Sequence, residues 1–354
     1  MDKHALVVFN PTARSAVPID QWIGQIVEKL NQHDQYFVSF YPTTAHTKPE
    51  DLVNHVQPPL DMIIAAGGDG TVRFALAALA KAHSEIPAAI FPLGTGNVLA
   101  RNLGIWQEKM FADPLEHAFE FVLKGQPMRL DMGMMNGEYF AGMAGVGPIS
   151  DAFMKPARAE KSRFKLLAYI KALLATIAMR PRIFKITTGG KSFKVQASGV
   201  FVGNVENLGM GRAVDLNALT DGSLDLHIVN PKNFSDYVDL GFRYTTGNRK
   251  DHVSGYTLRV KEAMVEVVPR RGARSAFQIA GLNLRAFFTG KRSTETPRGE
   301  ELPCMIDGEE CGVTPMRVTV IPHAVNILIP PTEQEEISPS AANAPDEALE
   351  QRVA

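Results

Sequence analysis

The stretch IIAAGGDGTVRFALAALA, residues 63–80, sets Gly67, Gly68 and Gly70 around a single carboxylate, Asp69, with Thr71 following. Met62 to Ala66 is apolar and reads as a buried strand, and Val72 to Lys81 reads as a helix. A strand that enters a helix through glycines aims backbone N–H groups at a phosphate. Glycine is also the residue for a backbone that takes positive φ or passes close to a ligand. A tight strand-to-helix turn without a ligand is the other reading of the same residues.

The surrounding elements decide where such a turn sits. HALVVFN, YFVSFYPTT, DMIIAAG and the start of IPAAIFPLGTGN read as strands. Between them lie PIDQWIGQIVEKLNQ, an amphipathic helix with Trp22, Ile26 and Leu30 on one face, and a helix from about Pro49. This alternation predicts an α/β unit over residues 1–129, with a mainly parallel sheet covered by helices on both faces. Asn10-Pro11, Thr43-Thr44, Gly67 to Thr71 and Gly94 to Asn97 each follow a strand and should converge on one rim, where such sheets bind ligands. From Arg129 the texture changes to short strands separated by turn signals, which predicts a mostly antiparallel β domain over 130–331. One helix interrupts it near Lys161 to Met179, and the last strand, near 316–330, can return to the first domain. Residues 332–354, with six acidic residues and one basic one, are expected to be disordered.

Composition excludes several classes. The 354 residues carry 37 basic and 38 acidic side chains, a formal net charge of -1, which argues against a nucleic-acid binder. Cys304 and Cys311 match no zinc spacing and make no disulfide framework, so a reducing, cytoplasmic setting is expected. The apolar run near the first residues is too short for a signal peptide. The longest apolar stretch, Leu166 to Met179, is 14 residues and includes Lys171. A membrane-spanning helix needs ~20, so no span is expected.

Three blocks together resemble the diacylglycerol kinase catalytic family, which includes sphingosine kinases and bacterial soluble lipid kinases: GGDGT (67–71), PLGTGNVLARNLGI (92–105), and DGSLDL (221–226) with IDGEE (306–310). A GGDGT turn alone also occurs in NAD kinases and phosphofructokinases; its combination with the later blocks is specific, and the likeness runs over roughly 5–330. The resemblance implies a nucleotide-binding α/β domain, a C-terminal β-sandwich domain and an active cleft between them. It implies an ATP- and Mg2+-dependent phosphotransferase acting on the hydroxyl of a diacylglycerol-like, glycerophospholipid or sphingoid lipid. Gly67, Gly68, Asp69, Gly70 and Thr71 would hold ATP phosphates. Gly94, Thr95, Asn97 and Thr43 or Thr44 would add nucleotide contacts. A structural Mg2+ would be bound by the Asp221 side chain and the Ala218 and Ser223 carbonyls, a plausible set for a hard cation; an ordinary Asp-Gly turn is the alternative. Asp307 or Glu309 would accept the proton of the attacking hydroxyl, and the Asp307-Gly308 pair can equally be a hairpin turn. Asp69 and Asp131 are further candidates for metal or bound-water contacts, with a structural role open for Asp131.

The chain departs from the family pattern at Phe74, Ala77 and Val98, where the family usually has Glu, Asn and Asp, and its first loop, FNPTARSA, lacks the usual glycines. Arg73 or Arg14 can supply charge instead. These departures keep open a catalytically weak lipid- or nucleotide-binding regulator and, separately, a kinase of a soluble hydroxyl substrate.

A lipid substrate implies peripheral contact with a membrane. Residues 155–185 carry nine basic residues and one acidic one, with Phe164, Leu167, Ile170, Leu174 and Ile177 at helical spacing. Residues 269–300 carry seven basic and two acidic residues together with Phe277, Ile279, Leu282, Leu284, Phe287 and Phe288. Both suit an anionic bilayer. A helix packed on the sandwich and a locally packed hairpin are the corresponding alternatives.

Overall fold

The computed structural model describes residues 3–11, 18–33, 36–94, 96–105, 114–150, 180–204, 216–233, 235–236, 255–269 and 301–329. Strands and helices first alternate: β1 (Lys3–Phe9), α1 (Ile19–His33), β2 (Tyr36–Pro42), α2 (Pro49–Leu52), β3 (Met62–Gly67), α3 (Asp69–Ala82), β4 (Ala88–Pro92), α4 (Val98–Asn102) and α5 (Pro114–Lys124). Strands follow: β5 (Gln126–Met135), β6 (Glu138–Phe140), β7 (Met143–Val146), β8 (Arg182–Thr188), β9 (Lys191–Ala197), β10 (Gly199–Gly203), β11 (Leu224–Val229), β12 (Gly255–Val260), β13 (Glu262–Val267), β14 (Pro303–Ile306), β15 (Glu309–Val313) and β16 (Met316–Ile329).

In the first half β2, β1, β3 and β4 lie side by side and parallel. Their central strands are apolar on both faces because both faces are covered. Leu6, Val8, Ile63 and Ile90 meet Leu76 and Leu79 of α3 on one side. Val7, Ile64 and Phe91 meet Trp22, Ile26 and Leu30 of α1 and Phe119 of α5 on the other. The Phe91 and Phe119 rings cross edge to face, 4.9 Å between centroids. The expected helix from Pro49 is one turn of α-helix continued by a 3-10 turn, Val53–His55.

The second half is a β-sandwich. One layer, in the order β12-β11-β10-β7-β14-β15, is antiparallel throughout. It packs Val146, Val202, Leu226 and Ile306 against Phe184, Ile186, Val265 and Val318 of the facing layer. That facing layer continues the parallel sheet without a break, since among the described residues ten strands form one sheet through β4, β16, β13, β8 and β9. β16 makes the join. Met316–Thr319 pairs with β13, Ile327 pairs in parallel with Ala88 of β4, and β5 runs antiparallel along most of its length.

β8 reaches into the end of the basic stretch 155–185, just past the expected helix near 161–179, where the sequence reading places no strand. Phe184 and Ile186 are buried while Ile183 is 45% exposed, a two-residue period that only a strand satisfies. Residues 155–179, 270–300 and 332–354 lie outside the described residues, and with them the expected helix near 161–179, most of the two stretches expected to meet a membrane, and the acidic tail. Among the described residues no helix is long and apolar enough to cross a membrane.

The junction of β4, β5 and β16 yields a test. Ile327 is fully buried there, so Ile327→Ala is expected to cost about 2–5 kcal/mol of unfolding free energy. Urea denaturation followed by circular dichroism would measure it; a loss under 0.5 kcal/mol would mean that β16 does not carry the join.

Candidate active site

The carboxyl ends of the parallel strands align. Phe9 stands beside Pro42 and Ala66, and Gly67 beside Pro92. The turns beyond them, 67–71 and 92–97, interlock. A Cβ on Gly94 would lie 2.4 Å from the Gly68 Cα, so the two backbones touch as only glycines allow. A Cβ on Gly96 would meet Asp69 Oδ2 at 2.5 Å, and one on Gly67 would meet Thr71 Oγ1 at 2.5 Å. Gly68 caps α3, and its carbonyl accepts from the N–H groups of Thr71 and Val72 at 3.0 and 3.1 Å.

Asp69 crosses this contact. Its Oδ1 accepts from the Val98 N–H at 2.6 Å. Burial pushes its carboxyl above the usual carboxylate range, and the N–H groups of Val98, Asn97 and Asp69 itself, with Arg101, pull it partly back. The carboxylate therefore fastens the first glycine turn to the start of α4. The backbone of Val98 does this, while its side chain, like that of Phe74, packs against the core.

The other rim residues divide by what their polar atoms do. Asn97 is buried at positive φ; its Oδ1 accepts from Gly94 N–H and its Nδ2 donates to the carbonyls of Pro92 and Gly94. Its amide thus closes its own loop. Thr43 is buried and donates both its N–H and its hydroxyl to the Phe9 carbonyl, at 2.7 and 3.1 Å. Thr44 is exposed, and its hydroxyl accepts from His46 N–H and pairs with Thr47 Oγ1. Thr95 and Arg14 lie outside the described residues. Phe74 stacks on Tyr41 at 6.5 Å, and Ala77 is buried in the α3 interface, so both departures from the family pattern serve packing.

The second half of the chain brings one carboxylate to this rim. β14 and β15 are joined by Asp307-Gly308, both at positive φ, the two-residue turn that suits strand twist. Glu309, the next residue, stands beside Gly70: a Cβ there would lie 3.3 Å from Glu309 Oε1. Its other oxygen is bound by the Arg73 guanidinium from the first turn of α3. Glu309 remains 58% exposed and Arg73 only 20%. Asp307 points the other way. Its Oδ2 accepts from Ala141 N–H at 3.0 Å and its Oδ1 from Gly142 and Met143 N–H at 2.9 Å each. Burial raises its pKa against those three bonds and the nearby Arg73. The hairpin-turn reading of IDGEE holds at Asp307-Gly308, and of its two candidate carboxylates Glu309 is the one that faces the glycine turn. Arg73 is legible in sequence only as a charge near GGDGT; its partner is 236 residues away.

Asp131 and Asp221 form a separate cluster. Asp131 is fully buried opposite a bulge in β16 between Ile321 and Val325. Its Oδ1 accepts from His323 N–H at 2.7 Å and its Oδ2 from Gly222 N–H at 2.6 Å. Asn204 donates to its backbone carbonyl at 2.6 Å. Asp131 is thus the anchor of the 221–223 turn, a role its sequence context does not reveal. Asp221 is ion-paired with Arg259 of β12. The residues as placed do not fit the implied Mg2+, because the one carboxylate of the Asp221, Ala218 and Ser223 set already holds a guanidinium. Among the described residues no three His, Cys, Asp or Glu side chains gather as a metal site.

Comparison with known proteins agrees with this geometry. Residues 4–135 match the family model of the diacylglycerol kinase catalytic domain. The chain is 27% identical to a diacylglycerol kinase of Bacillus subtilis (strain 168) over 259 residues, 71% of this chain and 81% of the relative. It is 24% identical to one from Staphylococcus saprophyticus over 293 residues, 82% and 91% of the two chains. A crystal structure of a diacylglycerol kinase from Bacillus anthracis str. Sterne superposes with a TM-score of 0.63 at 20% identity, covering 93% of this chain and 97% of that one, a likeness of fold. Two interlocked glycine turns at the ends of a parallel sheet, completed by a carboxylate from a β-sandwich, are the arrangement of a chain whose residues 4–135 match the diacylglycerol kinase catalytic domain.

Proposed function

We propose that this chain is an ATP-dependent lipid kinase. It transfers the γ-phosphate, with Mg2+ accompanying the nucleotide, to a hydroxyl of a diacylglycerol-like, glycerophospholipid or sphingoid lipid. The observation that carries the reading is the approach of Glu309 to Gly70. It sets a solvent-accessible carboxylate beside the N-terminal turn of a 14-residue helix, where phosphate oxygens are favoured. The names of the relatives support the lipid class.

In this reading Gly67 to Thr71 receive the phosphates, and Gly68 and Gly94 keep the two turns in contact. Glu309 accepts the proton of the substrate hydroxyl as its oxygen bonds to the γ-phosphorus and ADP departs. Arg73 holds Glu309 in place and brings positive charge to the phosphate end of α3. Asp307 fixes the hairpin and takes no proton, since three N–H groups already occupy its oxygens. Most of the acceleration comes from positioning and charge neutralisation.

Glu309→Gln is expected to lower turnover about 100-fold or more with unchanged melting. Asp307→Asn should instead lower the melting temperature, with turnover falling only as folded protein is lost. Radiolabelled ATP with mixed lipid vesicles measures both; equal turnover in wild type and Glu309→Gln would remove Glu309 from the mechanism.

Asp69→Ala should lose phosphoryl transfer and also stability. Its part-buried bond to Val98 N–H is of the charged kind, worth about 1.5–3 kcal/mol. A variant that melts like wild type would show that the two turns hold without it.

The basic segments 155–185 and 269–300 support docking on anionic lipid. A Lys or Arg near such a surface contributes ~1 kcal/mol, screened over ~8 Å at physiological salt. Vesicle sedimentation should therefore require anionic lipid and weaken with salt, and deleting 271–298 should reduce it while turnover of detergent-dispersed lipid persists. Equal sedimentation with neutral vesicles in high salt would overturn electrostatic docking.

A further inference from the structure

The turn at 218–223 follows a short 3-10 helix, Leu216–Leu219, and leads into β11. Two charges act on it from different sides. Beneath it, the fully buried Asp131 carboxylate takes the Gly222 N–H at 2.6 Å and ties the turn to the bulge of β16. Above it, the Asp221 side chain, 26% exposed, is ion-paired with Arg259. The β11–β12 register adds a second acid, since Asp225 stands directly across from Arg259. Leu224, Leu226 and Val260 point into the sandwich core, so Asp225 and Arg259 share the outer face. The next pair on that face, His227 and Thr257, is close enough to hydrogen-bond at 2.9 Å. Side chains directly opposite in an antiparallel pair lie ~4.5–5.5 Å apart at Cβ. One guanidinium therefore faces carboxylates at 221 and 225.

We propose that Arg259 is the resident cation of this turn, a covalently tethered positive charge in the place where the family resemblance implies Mg2+. Two carboxylates converging on one turn need positive charge between them. A planar guanidinium with five donors serves two carboxylates at once. Being part of β12, it cannot be removed by a chelator, and the turn keeps its attachment to the paired strands β11 and β12 at any divalent-ion concentration. Taking the guanidinium away would leave Asp221 and Asp225 to attract a hard cation from solution, with backbone carbonyls of the turn completing the oxygen set.

Thermal melting of the full chain without nucleotide, in chelator and in millimolar Mg2+, tests this independently of kinase activity. Wild type should melt within about 1 °C in the two buffers. Arg259→Ala should melt several degrees lower in chelator and recover at least half of the loss in Mg2+. Asp221→Asn should melt lower than wild type and respond to Mg2+ as little as wild type does. A wild-type gain of more than 3 °C in Mg2+ that Asp221→Asn abolishes would overturn the proposal, since a metal would then hold the turn. So would an Arg259→Ala protein as stable as wild type in both buffers. If Arg259→Ala does not fold, the wild-type and Asp221→Asn melts, with calorimetric titration of Mg2+ into both, decide alone: matching weak heats support the tethered cation, and binding lost in Asp221→Asn refutes it.

Discussion

β16 constrains everything else. A strand fourteen residues long satisfies its backbone only by pairing along its whole length, and no single half of the molecule offers that. Its first residues take β13, its last reach β4, and β5 accompanies both parts. The two halves are thereby held at one angle by hydrogen bonds and by a core with Val318 on the sandwich side and Ile327 on the parallel-sheet side. The hairpin that carries Glu309 ends just before β16 begins. The approach of Glu309 to Gly70 is set by this strand as much as by either loop.

Three carboxylates illustrate how environment assigns work to like groups. Asp307 has both oxygens, and Asp69 its Oδ1, committed to backbone N–H groups, and burial raises both pKa values against such bonds. A carboxylate so engaged braces structure, since freeing it would strand donors at about 1–3 kcal/mol each. Glu309 is exposed and is bound by Arg73. The pair joins a solvated carboxylate to a guanidinium of which only 20% is exposed, so Glu309 itself gives up little hydration to make it.

Much of the fold was legible because its signals are local. Trp22, Ile26 and Leu30 mark a helix face by spacing alone, the buried runs of β3 and β4 mark a doubly covered sheet, and Asp307-Gly308 marks its own turn. The glycine-rich turns were legible too, through the chemistry of close approach. What escaped depends on tertiary pairing. Nothing near Asp131 says that it will meet Gly222 and His323. Nothing near Asp221 says that an arginine on β12 will reach it. The strand β8 was hidden because a basic helical pattern runs directly into it. Between Asp307 and Glu309 the sequence had no basis for choice, since the two differ only in which way a hairpin turns its side chains.

The join at β16 also orders events in time. β4 ends at Pro92, but its outer neighbour begins only at Met316. At roughly 5–20 residues per second, a ribosome takes about ten seconds or more to make that neighbour. Through that interval β4 presents an unpaired apolar edge, the kind of surface that recruits other chains. The nascent protein therefore has reason to meet a chaperone early, and Glu309 can come to rest beside Gly70 only after β16 has left the tunnel.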